Sequence, residues 1–332
     1  MKHLILSLTL LSFLSISCNQ SKSNKSLLPT IIGGMHDVVV VMSAKNWEAE
    51  PGDTLRSFLL QSVPAIAQEE KLFDLIWMPH DGFTPAVKKQ RNIILTQIGP
   101  DYQERIVYRE SLWAKSQLVI QIMAPNPEAF AKLITEYGDE IVNRFQDAEL
   151  NRVKDNYKNN HDKEIRATLK ENHSLDLILP RGYKINVEKE NFVWLINSYR
   201  NITENILVYH YPYTDNNTFT TDYLVDKRDA FMKTYVIGEV EGSYPSTETR
   251  FPITTSEYNF NDSIYTMELR GWWKMNKGMA MGGPFVSISQ FDEPRGRIVT
   301  VDGFVFGAGE DKRELLKHLE AVLFSLEFPE NE

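Results

Sequence analysis

A single cysteine, Cys18, in 332 residues leaves no intramolecular disulfide open to this chain, so an apolar core alone must hold its fold. The composition allows that, with 42% hydrophobic and 24% charged residues, the usual balance of a globular protein. About 300 residues follow the cysteine, enough for one large domain or two ordinary ones. The net charge of −9 and pI near 5.4 argue against nucleic acid and anionic headgroups as partners, because both require a basic face.

Val38 to Met42 is an unbroken apolar run rich in β-branched residues, the signal of a buried strand. Phe73 to Met78, Arg91 to Ile98, Arg105 to Arg109 and Gln117 to Met123 read as further strands. A helix through Leu55, Phe58 and Leu59 opens at Asp53 and closes near Pro64. Asn126-Pro127-Glu128 is a helix start, with a cap residue, proline at the first helical position and an acid in the first turn. Phe130, Leu133, Ile134, Ile141 and Phe145 then recur at helical spacing. Residues 146 to 173 are dominated by charged and amide side chains and predict a protruding, solvated helix broken near Asn159-Asn160.

The second half changes character. Leu175 to Leu179, Tyr183 to Val187, Phe192 to Tyr199 and Asn205 to Tyr211 read as strands, followed by a helix with Tyr223, Leu224, Phe231, Met232 and Tyr235 on one face. Thr249 to Phe260, Ile264 to Met275, Phe285 to Phe291 and Arg297 to Phe306 predict an antiparallel meander. Leu315, Leu316, Leu319, Val322, Leu323 and Leu326 mark a closing helix, for which Asp311 and Glu314 are the expected caps. The expectation is an α+β fold with antiparallel sheets and helices packed on one face. Its domains span residues 36–174 and 175–332. Helix–strand–helix order in both halves suggests two related halves.

The first eighteen residues are read separately. Met1-Lys2-His3 is a short basic start, Leu4 to Ile16 an apolar run interrupted by Ser7, Thr9, Ser12 and Ser15, and Ser17-Cys18-Asn19 its end. That is the layout of a secretory signal, too short to cross a bilayer, which takes about 20 apolar residues. A cysteine directly after the cleavage point resembles the lipobox of bacterial lipoproteins, although Ser15 stands where leucine is usual and Leu14 is one step further back. Lipidation of Cys18 is expected, giving a membrane anchor for a body that carries no second spanning run. Asn19 to Thr30 is polar and reads as a flexible tether. Asn19, rather than aspartate, follows the cysteine and favours the periplasmic side of the outer membrane.

Eight segments stand out together: VVVVMSAKNWEAEPGDTLRSFL, AIAQEEKLFDL, RNIILTQIG, LWAKSQLVIQIMAPN, LPRGYKINVEKENFVWL, RGWWKM, MGGPFVSISQFDE and VDGFVF. As a set, over roughly residues 36 to 328, they resemble an uncharacterised family of Bacteroidetes lipoproteins, the domain-of-unknown-function family numbered forty-eight thirty-seven. The resemblance implies no activity, cofactor or catalytic residue. From Leu175 to Phe328 the layout is also similar to the PsbP/Mog1-like α/β/α sandwich, and fold does not give function.

Among residues able to carry chemistry, Arg270, Trp272 and Trp273 fall beside Met281, Gly282 and Gly283 if the meander pairs as expected. An arginine next to tryptophans can stack and pair with an anion, so this group is a candidate binding patch for a carboxylate, a sugar or a peptide end. A hairpin with aromatic core residues is the competing reading. Met275, Met279 and Met281 lack a cysteine or histidine that would support copper ligation. Gly307-Ala308-Gly309 lacks the third glycine of a phosphate loop, and Glu310-Asp311 would repel an anion. The histidines after Cys18 never fall at metal-ligand spacing, and His80-Asp81 is the one acid/base pair. Neither a metal nor a cofactor is expected. Asp53-Thr54-Leu55 and Asp262-Ser263-Ile264 fit a three-residue O-glycosylation pattern.

The leading functional reading is a lipid-anchored binding or accessory factor of the cell envelope, with an envelope protein or a small anionic or glycan ligand as its partner. The alternative is a periplasmic hydrolase acting on glycan or peptide, which requires a cleft holding a perturbed carboxylate or histidine. A structural spacer is a third, resting on residues 146–173 alone.

Overall fold

The computed structural model describes residues 27–260 and 264–329. Cys18, most of the tether and Asp262-Ser263 lie outside the described residues. In the first half, β1 (Asp37–Val41) is followed by α1 (Ala44–Trp47), α2 (Glu50–Leu59), β2 (Asp74–Met78), β3 (Asn92–Ile98), β4 (Arg105–Glu110), β5 (Leu118–Ala124) and α3 (Pro127–Asn159). The strands form one sheet in the order β2-β1-β3-β5-β4, with β4 the single antiparallel member at one edge. Val38 to Val41 are buried on both faces, as an interior strand of a parallel sheet must be. Val38, Val40, Ile94, Ile120 and Ile122 face α2 and α3, where Leu55, Leu59, Phe130, Ile134 and Phe145 complete the core. Val39, Val41, Ile93 and Val119 form a thinner cluster with Phe83, Val87 and Trp113.

The second half contains α4 (Lys163–His173), β6 (Lys184–Lys189), β7 (Phe192–Tyr199), β8 (Ile202–Pro212), α5 (Thr221–Tyr235), β9 (Pro245–Thr247), β10 (Thr254–Phe260), β11 (Ile264–Met275), β12 (Gly282–Asp292), β13 (Arg297–Gly307) and α6 (Arg313–Leu323). All pairs are antiparallel, in the order β10-β11-β12-β13-β8-β7-β6, with β9 beside β11. Leu195, Ile206, Val208, Val286, Ile288, Val299 and Val301 face α4 and α6. The alternate positions Phe192, Leu207, Tyr209, Phe285 and Phe304 face α5. This half is therefore an α+β sandwich with helices on both faces of an antiparallel sheet, where sequence patterning had placed them on one.

Other details differ from the sequence expectation for identifiable reasons. The two halves do not share a topology, because the first sheet is mostly parallel and the second wholly antiparallel. Residues 175–179 bury Leu175, Leu177 and Leu179 but pair only through isolated bridges, including Asp176 with Glu327. Residues 146–159 do not protrude: Glu149, Val153 and Tyr157 recur every four residues and form a buried stripe along α3. Phe130 and Phe145 of α3 belong to the first core, Val153 and Tyr157 to the second. With its 33 residues, the helix is about 50 Å long and joins both sheets. It ends at Asn159, where the break was expected. Asp53 lies inside α2 rather than at its cap, and Thr54 hydrogen-bonds back to the Glu50 carbonyl at 2.8 Å.

The cap of α6 comes from the other half of the molecule. Neither Asp311 nor Glu314 makes it; the Glu70 carboxylate accepts the backbone N–H groups of Lys312 at 2.8 Å and Arg313 at 2.8 Å. Arg313 in turn donates to Asp74 at 2.5 Å. Along the same junction Glu149 is fully buried against Arg152 at 2.8 Å and Arg91 at 3.1 Å. No helix among the described residues is long and apolar enough to cross a membrane.

Candidate functional site

The α5 face of the second sheet is only partly covered. Stacked rings seal one end: Tyr209 against Phe231 at 4.5 Å and Phe192 against Tyr235 at 4.6 Å. Deeper in, Arg228 of α5 reaches Asp302 at 2.7 Å, both side chains essentially inaccessible, and lies 3.8 Å from the centre of the Phe285 ring. Burial pushes the Asp302 carboxyl above its ordinary range more strongly than Arg228 pulls it down. α5 stops at Tyr235, and beyond it the sheet still presents Trp194 and Ile196 from β7, Asn205 from β8, and Phe304 and Phe306 from β13. The 236–244 loop and the 276–281 turn roof this remainder and enclose a cavity of about 410 Å³.

Its aromatic floor is fixed by hydrogen bonds. The Trp194 indole donates to Asn205 Oδ1 at 3.0 Å, and the Trp273 indole donates to the Val305 carbonyl at 3.1 Å. Trp273 meets Phe304 edge to face at 5.2 Å. Gly283 makes this possible, since a Cβ there would stand 2.0 Å from the Val305 carbonyl oxygen. The roof segments hold each other: Asn276 accepts the Tyr244 N–H at 2.8 Å, and Gly278, at φ +89°, leaves room for Val240. Met275, Met279 and Met281 form one wall. The rim is apolar and open, with Ile237 68%, Val240 49% and Met279 66% exposed. Lys277 and Glu239 stand at the mouth.

Strand alternation divides the residues singled out in the sequence. Trp273 and Met281 line the cavity, and Gly282 and Gly283 lie against the two tryptophans. Arg270 points to the opposite face, held by Glu268 and by Glu320 at 2.5 Å, with Lys317 on the same Glu320 at 2.6 Å. Burial raises the Glu320 carboxyl, but Arg270 and Lys317 outweigh it and hold the group below the usual carboxylate range. Those carboxylates occupy the guanidinium, leaving no anion site at Arg270. Trp272 packs on Phe251 at 5.7 Å, also away from the cavity. His80 is in an exposed turn, its Nε2 donating to the Thr96 carbonyl at 2.6 Å. Gly307-Ala308-Gly309 is a turn whose Gly307 carbonyl accepts from Lys312 Nζ at 2.6 Å.

Sequence reading passed over Trp194, Phe304, Phe306, Lys277 and Glu239. The available signals were the period-two pairs 194/196, 203/205 and 304/306, and apolar Ile237, Val240 and Met279 standing among glycines. A buried carboxylate beside a histidine does occur elsewhere, at Glu204 and His318. There Tyr183, Tyr199 and Asn197 donate to Glu204, which is buried. No group of His, Cys, Asp and Glu able to hold a metal ion occurs among the described residues.

Fold and site together define a two-part α+β protein with an aromatic-floored cavity in its antiparallel half. Residues 162–325 match the family model described as Domain of unknown function (DUF4837), and residues 32–158 match a second model, Domain of unknown function (DUF8532). The boundary between the models falls at the break between α3 and α4. Solved structures similar to the chain include a Mog1 E65A mutant, at 10% identity and TM-score 0.29, covering 47% of this chain and 90% of that one. The Saccharomyces cerevisiae Ran-binding protein Mog1p is similar at 9% identity and TM-score 0.29, with 47% and 90% coverage. Cyanobacterial PsbP from Synechocystis sp. PCC 6803 is similar at 17% identity and TM-score 0.30, with 47% and 87% coverage. No curated protein matches the chain.

Proposed function

We propose that this protein acts by binding, and that the cavity of its C-terminal half receives the apolar part of a ligand. The single observation behind this reading is a concave, mostly apolar site of about 410 Å³ with a rigid aromatic floor and a methionine wall. Ligand sites of that kind span roughly 300 to 1,000 Å³, and methionines adapt to varied apolar shapes. Hydrolysis of a glycan would take two carboxyl groups about 5 to 10 Å apart, and Glu239 is the one carboxylate in the lining. Binding is the better reading.

The address remains part of the proposal. A lipidated Cys18 and a polar tether would hold the two domains at the periplasmic face of the outer membrane, as an accessory factor with an envelope partner. Intact-mass analysis of membrane-extracted protein tests the anchor: acyl mass on a chain starting at Cys18 is expected, lost in Cys18→Ala. The cavity is tested by titrating the chain with N-phenyl-naphthylamine, a neutral aromatic probe. Saturable binding with a raised Tm is expected, abolished in Thr203→Trp, which places an indole in the cavity. A probe that binds neither chain, or both equally, refutes the reading.

A further inference from the structure

The cavity's polar atoms and rim narrow the ligand further, on the reading that the C-terminal half is a binding domain. Both indole N–H groups of the floor are committed within the protein, and the Ser243 hydroxyl donates to the Val240 carbonyl at 2.6 Å. A sugar or a peptide backbone entering here would leave its own polar groups short of partners, at a penalty per group that outweighs apolar contact. A hydrocarbon chain suffers no such loss. The apolar lining continues outward through Ile237, Val240 and Met279, which are exposed on two adjoining loops. Exposed apolar surface contiguous with a pocket marks a membrane or ligand contact rather than ordinary surface. Lys277 and Glu239 stand at the same mouth with no ion-pair partner among the described residues, which suits a head bearing both charges.

We infer that the cavity takes an acyl chain of a zwitterionic phospholipid, with Lys277 facing the phosphate, Glu239 facing the ammonium, and the Ile237, Val240 and Met279 rim seated in the bilayer interface. The net charge of −9 agrees with a zwitterionic rather than an anionic surface.

The test uses the full chain carrying Cys18→Ser, so that no acyl anchor contributes. Tryptophan emission is followed during titration with lysophosphatidylethanolamine, lysophosphatidylglycerol and dodecyl maltoside. The zwitterionic lipid is expected to bind most tightly, and Lys277→Glu and Glu239→Lys each to weaken it by about fivefold while leaving the maltoside unchanged. Flotation with phosphatidylethanolamine–phosphatidylcholine vesicles is expected to exceed that of Met279→Asp, which controls for membrane contact by the N-terminal segment. All three variants lie on the surface, so loss of fold does not confuse the result. Equal binding of the three amphiphiles, insensitive to both charge variants, overturns the zwitterion while the apolar site survives. Lysolipid binding with no flotation difference from Met279→Asp overturns the seated rim. If no amphiphile binds but N-phenyl-naphthylamine does, the lipid assignment falls alone; if that probe fails too, the binding reading falls with it.

Discussion

His36 makes the folded protein acid-sensitive in a way that one substitution should isolate. Its ring is fully buried at the start of β1, neither nitrogen has a hydrogen-bond partner, and its backbone stands at φ +68°. Burial lowers its pKa first, with Arg313, Lys317 and Arg91 adding to it and Glu320 opposing, to about 3 from 6.5. Because the folded value is the lower, the unfolded chain binds the proton first as pH falls. Stability from this group is complete above pH 6.5 and is lost progressively between 6.5 and about 3. Each tenfold step in proton affinity is worth about 1.36 kcal/mol, so roughly 2 kcal/mol is gone by pH 5 and about 5 kcal/mol below pH 3. Asparagine tolerates positive φ and has no titration in this range. Urea unfolding followed by tryptophan fluorescence, at pH 8 and pH 5, compares the chain with His36→Asn. Any cavity left by the smaller side chain shifts both pH values alike and cancels. His210 and His318, whose pKa values are also lowered by burial, are present in both chains and cancel as well. The difference between the two pH values should shrink by about 2 kcal/mol in the variant. An unchanged difference refutes the argument.

Two further outcomes follow from buried charge and from the junction. Arg228→Met strands the Asp302 carboxyl under α5 and should lower stability by about 3 to 5 kcal/mol, whereas Arg228→Met with Asp302→Leu should recover most of it, measured by urea unfolding. Glu70→Ala removes the cap of α6 across the two halves and should reduce stability by about 1 to 2 kcal/mol, read as a lower midpoint in denaturant.

Where an element is specified by its own residues, the sequence was a reliable guide. Val38 to Met42 could only be a buried strand, Asn126-Pro127 could only open a helix, and the leucines from Leu315 could only face a core. What escaped was set by partners distant in the chain. Parallel pairing of β1 with β2 and β3 leaves no local turn signal, because the connecting segments carry no hairpin chemistry. The cap of α6 is supplied by Glu70, more than two hundred residues upstream, so the adjacent Asp311 and Glu314 were the misleading local candidates. The stripe Glu149, Val153, Tyr157 was hidden by the polar residues around it.

The cavity illustrates the same division more sharply. Adjacent positions on one strand are the closest neighbours in sequence but lie on opposite faces of a sheet. Arg270, Trp272 and Trp273 formed one group when read along the chain, yet the parity of β11 sends Arg270 to α6 and Trp273 to the cavity. Conversely, Trp194, Trp273 and Phe304 are separated by many residues and share a face because β7, β8, β13, β12 and β11 are hydrogen-bonded in that order. Gly283 then decides whether the indole of Trp273 can reach across β12 to the Val305 carbonyl, a contact no pairwise spacing predicts. A ligand site built from alternate residues of four strands becomes legible only once strand order and parity are both known. The apolar rim divides the same way: Ile237, Val240 and Met279 stand near glycines in the sequence, but only the fold shows them exposed on two adjoining loops.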